Sequence, residues 1–266
     1  NTIELNVTQI TTELTVNTTS VIVVGSDALI NITLNRTINT TVVLNVNGTK
    51  YTVGIVNGVG NFTVAHLKEG TYYINATYAG DDKYVGSTSS TVELNVTKVP
   101  TSLRVNVTAS VIVVGDDAKF NITLNETINA TVVLRVNGTP YNVAIINGVG
   151  NFTIAHMAKG TYYINATYAG DDKYVGSTSN TVELNVTQIT AEIRVNTTSV
   201  IVVGSDAIFN ITLNRTINTT VVLSVNGTKY DVAIVNGHGN FTVAHLKEGT
   251  YFINATYAGD DKYVGS

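Results

Sequence analysis

Asparagine two residues ahead of serine or threonine is the residue pattern whose chemistry stands out in this 266-residue chain. N-x-[ST], with x other than proline, is the acceptor sequon for an N-linked glycan, a bulky and solubilising surface modification. The sequons start at Asn6, Asn17, Asn31, Asn35, Asn39, Asn47, Asn61 and Asn75. They return at Asn95, Asn106, Asn121, Asn125, Asn129, Asn137, Asn151 and Asn165, then at Asn185, Asn196, Asn210, Asn214, Asn218, Asn226, Asn240 and Asn254. Together they take up 24 of the 31 asparagines, where independent placement would put about 6 in such a context. Polar alternation is the competing explanation. In a strand, positions i and i+2 share a face, so an outward face rich in Asn and Thr generates N-x-T unaided. Asn, however, is depleted in strands where Thr is favoured, and Thr, Lys or Glu would serve an outward face at less cost. The excess therefore points to dense N-glycosylation.

Other chemistry is thin. The pairs Asp81/Asp82, Asp171/Asp172 and Asp260/Asp261 could help to hold Ca²⁺, but no EF-hand-like ligand series follows them, and solvated turns are expected. His66, His156 and His245 recur in A-H-[LM] without a repeating metal-ligand spacing, so strand-end structural histidines are expected. His238 stands where the other copies have Val59 and Val149, so the repeat does not depend on it. A Lys–Asn isopeptide cross-link would need a lysine beside a buried acid. Lys83, Lys173 and Lys262 sit in a polar loop, and the counterparts of Lys119 are Leu29 and Ile208. No catalytic residues, metal ligands or cofactor are assigned, because no acid, base and nucleophile constellation exists.

What must position the sequons is a repeated β unit. VIVVG occurs at Val21–Gly25, Val111–Gly115 and Val200–Gly204, and AGDDKYVGS at Ala79, Ala169 and Ala258, so the period is near 90 residues. Within the second copy, strands are expected over Ser102–Val107, Val111–Val114, Ala118–Leu124, Ala130–Val136, Tyr141–Ile146, Asn151–His156, Tyr162–Tyr168 and Thr181–Val186. NGT, NGVG, KGT and AGDD turns separate most of them. Seven or eight short strands per copy predict an all-β chain of tandem Ig-like Greek-key β-sandwiches. Tyr162, Ile164, Ala166 and Tyr168 read as the core face of one strand, with Tyr72, Tyr78, Tyr251 and Tyr257 in matching places. A buried phenol needs a partner, so its hydroxyl is expected to tie down a neighbouring loop.

Composition narrows the class further. The hydrophobic fraction of 44% supports packed cores. There is no Cys, hence no disulfide framework or Cys-based zinc site. A net charge of −4 with 13% charged residues makes nucleic acid a poor partner, and no apolar run of membrane-spanning length exists.

GTYYINATYAGDDKYVGSTSNTVELNV at Gly160–Val186 resembles the bacterial and archaeal Ig-like repeats of giant surface proteins, particularly those of adhesin-like proteins of methanogenic archaea. Tyr168, Gly170, Asp171, Tyr174, Ser177 and Ser179 carry that likeness. It implies a fold and an extracellular, cell-surface or surface-filament location rather than a chemistry. The antibody-type Cys pair and core Trp are absent.

TVELNVT at Thr91–Thr97 reads as the last strand of the copy before it, with Pro100 ending strand pairing at the junction. Domains are accordingly expected over residues 8–97, 98–187 and 188–266. Residues 1–7 would be the last strand of a preceding domain or a donor strand, and the third domain would lack its own. Since the chain opens at Asn1 inside a strand pattern, it reads as a piece of something longer. Short junctions without Gly predict a stiff rod, with each repeat roughly 40 Å long by strand rise. Two assemblies remain open: a continuous array, or subunits joined when Thr2–Val7 of one chain completes the third domain of the next. The expected function is a structural spacer in a glycosylated stalk, filament or adhesin, whose partners are its glycans and neighbouring identical repeats or subunits. Ligand-binding adhesin domains are the rival, and an enzyme is not expected.

Overall fold

In the computed structural model, which describes residues 2–266, every regular element among the described residues is a β-strand. Asn1, the first residue of the expected leading strand, lies outside them. The chain divides into two compact units, Asn1–Ser102 with Tyr168–Ser177, and Leu103–Thr167 with Thr178–Ser266.

The first unit contains β1 (Leu14–Asn17), β2 (Val21–Val23), β3 (Ala28–Leu34), β4 (Thr40–Val46), β5 (Thr49–Ile55), β6 (Val59–Val64), β7 (Gly70–Gly80), β8 (Val85–Thr88) and β9 (Val92–Thr97). They form two sheets, one ordered β1-β3-β6 and one ordered β2-β9-β7-β4-β5 with β8 on β7. All neighbours are antiparallel except β2 and β9, which run parallel with Val21 opposite Asn95. Two such sheets, with a parallel pair closing one edge, make an immunoglobulin-like Greek-key sandwich.

Alternation explains why these segments are strands. Ala28, Ile30, Ile32 and Leu34 of β3 point inward with solvent-facing residues between them, and Val42, Leu44 and Val46 answer from β4. Ile74, Ala76 and Tyr78 of β7 and Leu94 and Val96 of β9 complete one core shared by both sheets. Turn chemistry fixes the register. Asn47-Gly48 joins β4 to β5 in two residues with φ of 45° and 88°, as a type I′ turn requires.

In the second copy the same layout recurs. Leu103–Val107, Ala118–Leu124 and Val149–Ile154 make one sheet. Val111–Val113, Val182–Thr187, Gly160–Gly170, Ala130–Val136 and Thr139–Ile145 follow in order in the other. Pro140 lies in the edge strand Thr139–Ile145, where its missing N–H is tolerated. Farther along, Ile193–Asn196, Ala207–Leu213 and His238–Val243 form a three-stranded sheet, and Thr228–Ile234, Thr219–Val225 and Ile253–Thr256 form another. A short pair, Ile189–Thr190 with Tyr263–Val264, completes the set.

Two expectations change on this structure. Val85–Thr88 and Val175–Thr178, expected as loop, are strands, folded back on the preceding strand by the GDD turn. Gly86 permits that return, because a Cβ there would lie 2.7 Å from the Ala79 carbonyl oxygen. Val99 forms an isolated bridge with Tyr174, and strand pairing ends at the following Pro100 as expected. Finally, Thr2–Gln9 forms no strand, and neither does Val200–Val203 despite repeating VIVV.

Candidate modification surface

None of the 24 sequon asparagines is buried, and most are exposed; Asn75, Asn95, Asn165 and Asn185 are half-buried. The strand alternation that sends Ile30, Ile32, Phe62 and Ala76 inward sends Asn31, Asn61 and Asn75 outward. Asn254, the third-copy counterpart of Asn75 and Asn165, is exposed because no strand covers that edge. Around Asn95 the outward groups bond each other. Its Oδ1 accepts from Thr71 Oγ1 at 2.7 Å, and its Nδ2 donates to Glu93 at 3.0 Å.

Register adds what linear spacing hides. Asn17 stands opposite Asn31, which stands opposite Asn61, so three sequons form one row across β1, β3 and β6. Asn106, Asn121 and Asn151 form the same row in the second copy, and Asn196, Asn210 and Asn240 in the third. Neighbours in such a row have Cβ atoms about 5 Å apart. A sugar ring is about as wide, so glycans in one row must splay apart or leave a member bare.

Asn47, Asn137 and Asn226 form a separate class. Each has a positive φ of 45–47° at the first position of its turn. Asn47 Oδ1 accepts from Tyr73 N at 2.7 Å while Nδ2 donates to Thr71 O at 3.0 Å, and the other two repeat both bonds. These amides clip the hairpin to the next strand. Asn35, Asn39, Asn129, Asn214 and Asn218 also accept a backbone N–H on Oδ1. Turn propensity could have marked the NGT asparagines as structural, but only register exposes the rows.

The remaining candidates resolve into structure. Tyr78, Tyr168 and Tyr257 are buried and donate their hydroxyls to Asp81, Asp171 and Asp260 at 2.8 Å. The other oxygen of each carboxylate accepts the N–H groups of the residues two and three ahead, Lys83 and Tyr84 in the first copy. The first Asp of each pair is thus a loop latch rather than a purely solvated turn residue, and the tie expected of the core tyrosine lands on it. The hydroxyl hydrogen bond, then the Lys83 and Tyr84 N–H groups, hold Asp81 below its ordinary value of 3.8. At Asp171 and Asp260 burial opposes, and the same bonds still bring the carboxyl down. Burial, then the carboxylate, pushes Tyr168 and Tyr257 up to about 12.

His66, His156 and His245 are not on strand ends in extended conformation but in turns, with φ of 53–54°. His156 and His245 donate backbone N–H to Asp117 and Asp206 at 3.2 Å. Lys83, Lys173 and Lys262 lie over the rings of Tyr84, Tyr174 and Tyr263 at 5.3–5.7 Å from the centroid. Among the described residues no three His, Cys, Asp or Glu side chains gather as a metal site, and no helix is long and apolar enough to cross a membrane.

No protein-family profile matches the chain, and no curated protein matches it in sequence. Solved structures similar to it include fibronectin(III)-like modules of Clostridium thermocellum CbhA, at 19% identity over 65% of this chain and 94% of that one, with a TM-score of 0.29. Murine CEACAM1b is 14% identical over 65% of this chain and all of that one, with a TM-score of 0.28. A chimeric titin Z1Z2 tandem is 19% identical over 62% of this chain and 93% of that one, with a TM-score of 0.26. The fold assignment rests on the strand order and register themselves.

Proposed function

We propose that the chain is a structural repeat segment of a heavily N-glycosylated extracellular stalk, filament or surface adhesin, with three Ig-like domains over residues 8–97, 98–187 and 188–266 acting as a stiff spacer. The observation that carries this reading is the placement of all 24 sequons on positions that are not buried: eight, eight and seven in the three domains, and Asn6 ahead of them. A chain with 13% charged residues has few charges for solubility, and sugar would supply that layer. It would also shield outer strands of near-identical neighbours, which otherwise invite edge-to-edge pairing. Many cell-surface domains share this sandwich architecture. The likeness of the Gly160–Val186 segment to repeats of methanogen adhesin-like proteins supports an archaeal surface origin.

Glycopeptide mapping of the protein isolated from its native cells tests the coat. Hexose-bearing mass on most of these asparagines is expected, whereas bare asparagines throughout would leave only polar alternation. A rival adhesin reading draws on Tyr73, Tyr163 and Phe252, one exposed aromatic ring in each copy. Each is followed two residues later on the same face by a sequon, Asn75, Asn165 or Asn254, so a glycan there would crowd a ligand. Binding on a glycan array by the sugar-free chain, lost when these three rings are replaced, would favour the adhesin.

A further inference from the structure

We propose that Tyr73 and Tyr163 are platforms for the chain's own sugar, each ring packing against the first pyranose of a glycan on Asn75 or Asn165, a step that rests on the glycan-coat reading. Both rings stand out of the fold, 56% and 55% exposed. The tyrosines beside them are engaged: Tyr72 and Tyr162 donate their hydroxyls to the carbonyls of Lys68 and Ala158, and Tyr78 and Tyr168 close the loop latch. Among the described residues neither ring stacks on another aromatic or lies beneath a lysine, as Tyr51 and Tyr84 do.

Spacing supplies the partner. Tyr73, Asn75 and Thr77 share the outward face of β7, and Tyr163, Asn165 and Thr167 that of Gly160–Gly170. Residues two apart on a strand face stand about 6.6 Å apart. A ring and a sugar so placed reach the roughly 4 Å of carbon contact when either leans along the strand. The residues ahead of other sequons follow no such rule. Two positions before Asn31, Asn121 and Asn210 stand Leu29, Lys119 and Ile208; before Asn61, Asn151 and Asn240 stand Val59, Val149 and His238. Only ahead of Asn75, Asn165 and Asn254 is that residue aromatic in every copy, and Phe252 there drops the hydroxyl while keeping the ring.

Three sequon asparagines flank Tyr73, and their amides separate them. Asn47 commits its Oδ1 to the Tyr73 N–H and its Nδ2 to the Thr71 carbonyl, at 2.7 and 3.0 Å, which also fixes the backbone beneath the ring. Asn95 commits its own to Thr71 and Glu93, at 2.7 and 3.0 Å. Asn75 has only long contacts, 3.4 Å to Asn45 and 3.4 Å to Thr91, so its Nδ2 is the one placed to carry a sugar. Glu93 faces Tyr73 and Glu183 faces Tyr163, which sets a carboxylate at the edge of each ring to accept a sugar hydroxyl. The matching ligand is a β-linked gluco-configured pyranose, whose axial C–H groups on one face meet the negative face of the ring.

The test uses the full chain produced in its native cells, with its sugars labelled with ¹³C. Protons of the first sugar on Asn75 and Asn165 should be shifted upfield by the ring current. Tyr73→Thr with Tyr163→Thr should abolish that shift, and Tyr73→Phe with Tyr163→Phe should keep it; threonine preserves strand propensity, so the variant folds. Local opening of Gly70–Gly80 and Gly160–Gly170, read by amide exchange, should become about threefold to tenfold more frequent in the threonine variant. Where Thr77→Val and Thr167→Val remove both sequons, the same threonine substitutions should change it by less than about twofold. Sugar on Asn75 and Asn165 without an upfield shift would overturn the platform and leave the coat standing. So would equal effects with and without the two sequons, or bare Asn75 and Asn165 in a chain glycosylated elsewhere. A chain bare at every sequon would instead overturn the coat, and the platform with it.

Discussion

The first and third copies carry almost the same residues and yet differ in structure along one edge. VIVVG is a strand at Val21–Val23, and the same string is not a strand at Val200–Val203. GTYYINATYAG is continuous strand over Gly70–Gly80, but only Ile253–Thr256 is strand in GTYFINATYAG. What differs is β9, which hydrogen-bonds both β2 and the first half of β7. β propensity in a run of valine and isoleucine is thus not sufficient. The run becomes a strand when a neighbour offers a ladder and a surface to pack on.

The most severe way to break the comparison is to make the first copy resemble the third. Leu94 is fully buried, and Leu94→Ala removes the anchor of β9. It should cost about 2–5 kcal/mol of first-copy stability, by lost transfer energy and the cavity left behind. Hydrogen exchange should then rise together at Val21–Val23 and Gly70–Tyr73. Leu5→Ala changes the same residue in the same string at an exposed position, and should stay within about 0.5 kcal/mol in the monomer. Equal effects of the two substitutions would mean that β9 does not organise that edge.

A smaller effect sharpens it. Asn47 and Asn226 make the same two bonds to the following strand, but β7 is also held by β9, whereas Thr250 and Phe252 lie outside any strand. Replacing either Asn by Ala loses both bonds and places a side chain unsuited to φ near 46° in the turn, costing about 1–3 kcal/mol. Amide exchange at Phe252 should respond to Asn226→Ala more than exchange at Tyr73 responds to Asn47→Ala. Asn31→Ala, at an outward strand position, should leave melting almost unchanged.

Much of this was legible beforehand. Period-2 alternation located Ala118–Leu124 and Ala130–Val136 to the residue, because both faces of those strands see different solvents and the composition records it. The Tyr168 tie was legible in kind but not in partner, since only the folded loop brings Asp171 back to the hydroxyl. Asn17, Asn31 and Asn61 were each visible as sequons, but their row is set by pairing between segments that are distant in sequence. Val175–Thr178 escaped because Gly and Ser weaken a strand signal that the return ladder overrides.

The latch is the feature the two copies share despite the difference along their edge: Tyr78 to Asp81 and Tyr257 to Asp260 are both 2.8 Å. Its pH response should therefore be the same in both, and mild. Each Asp is held below 3.8 in the folded chain, so its contribution is complete above that value and is lost as pH falls through the lower folded value. Tyr257 and Tyr168 are raised to about 12, so their contribution is complete below the ordinary 10 and is lost as pH rises from there towards 12. Melting temperature should be flat between these limits and fall at both ends. Changing all three latch tyrosines to Phe should lower the plateau by a few degrees, through loss of hydrogen bonds to charged carboxylates, and remove most of the alkaline fall. An alkaline fall that persists undiminished in that variant would assign it to other groups and leave the latch with a packing role alone.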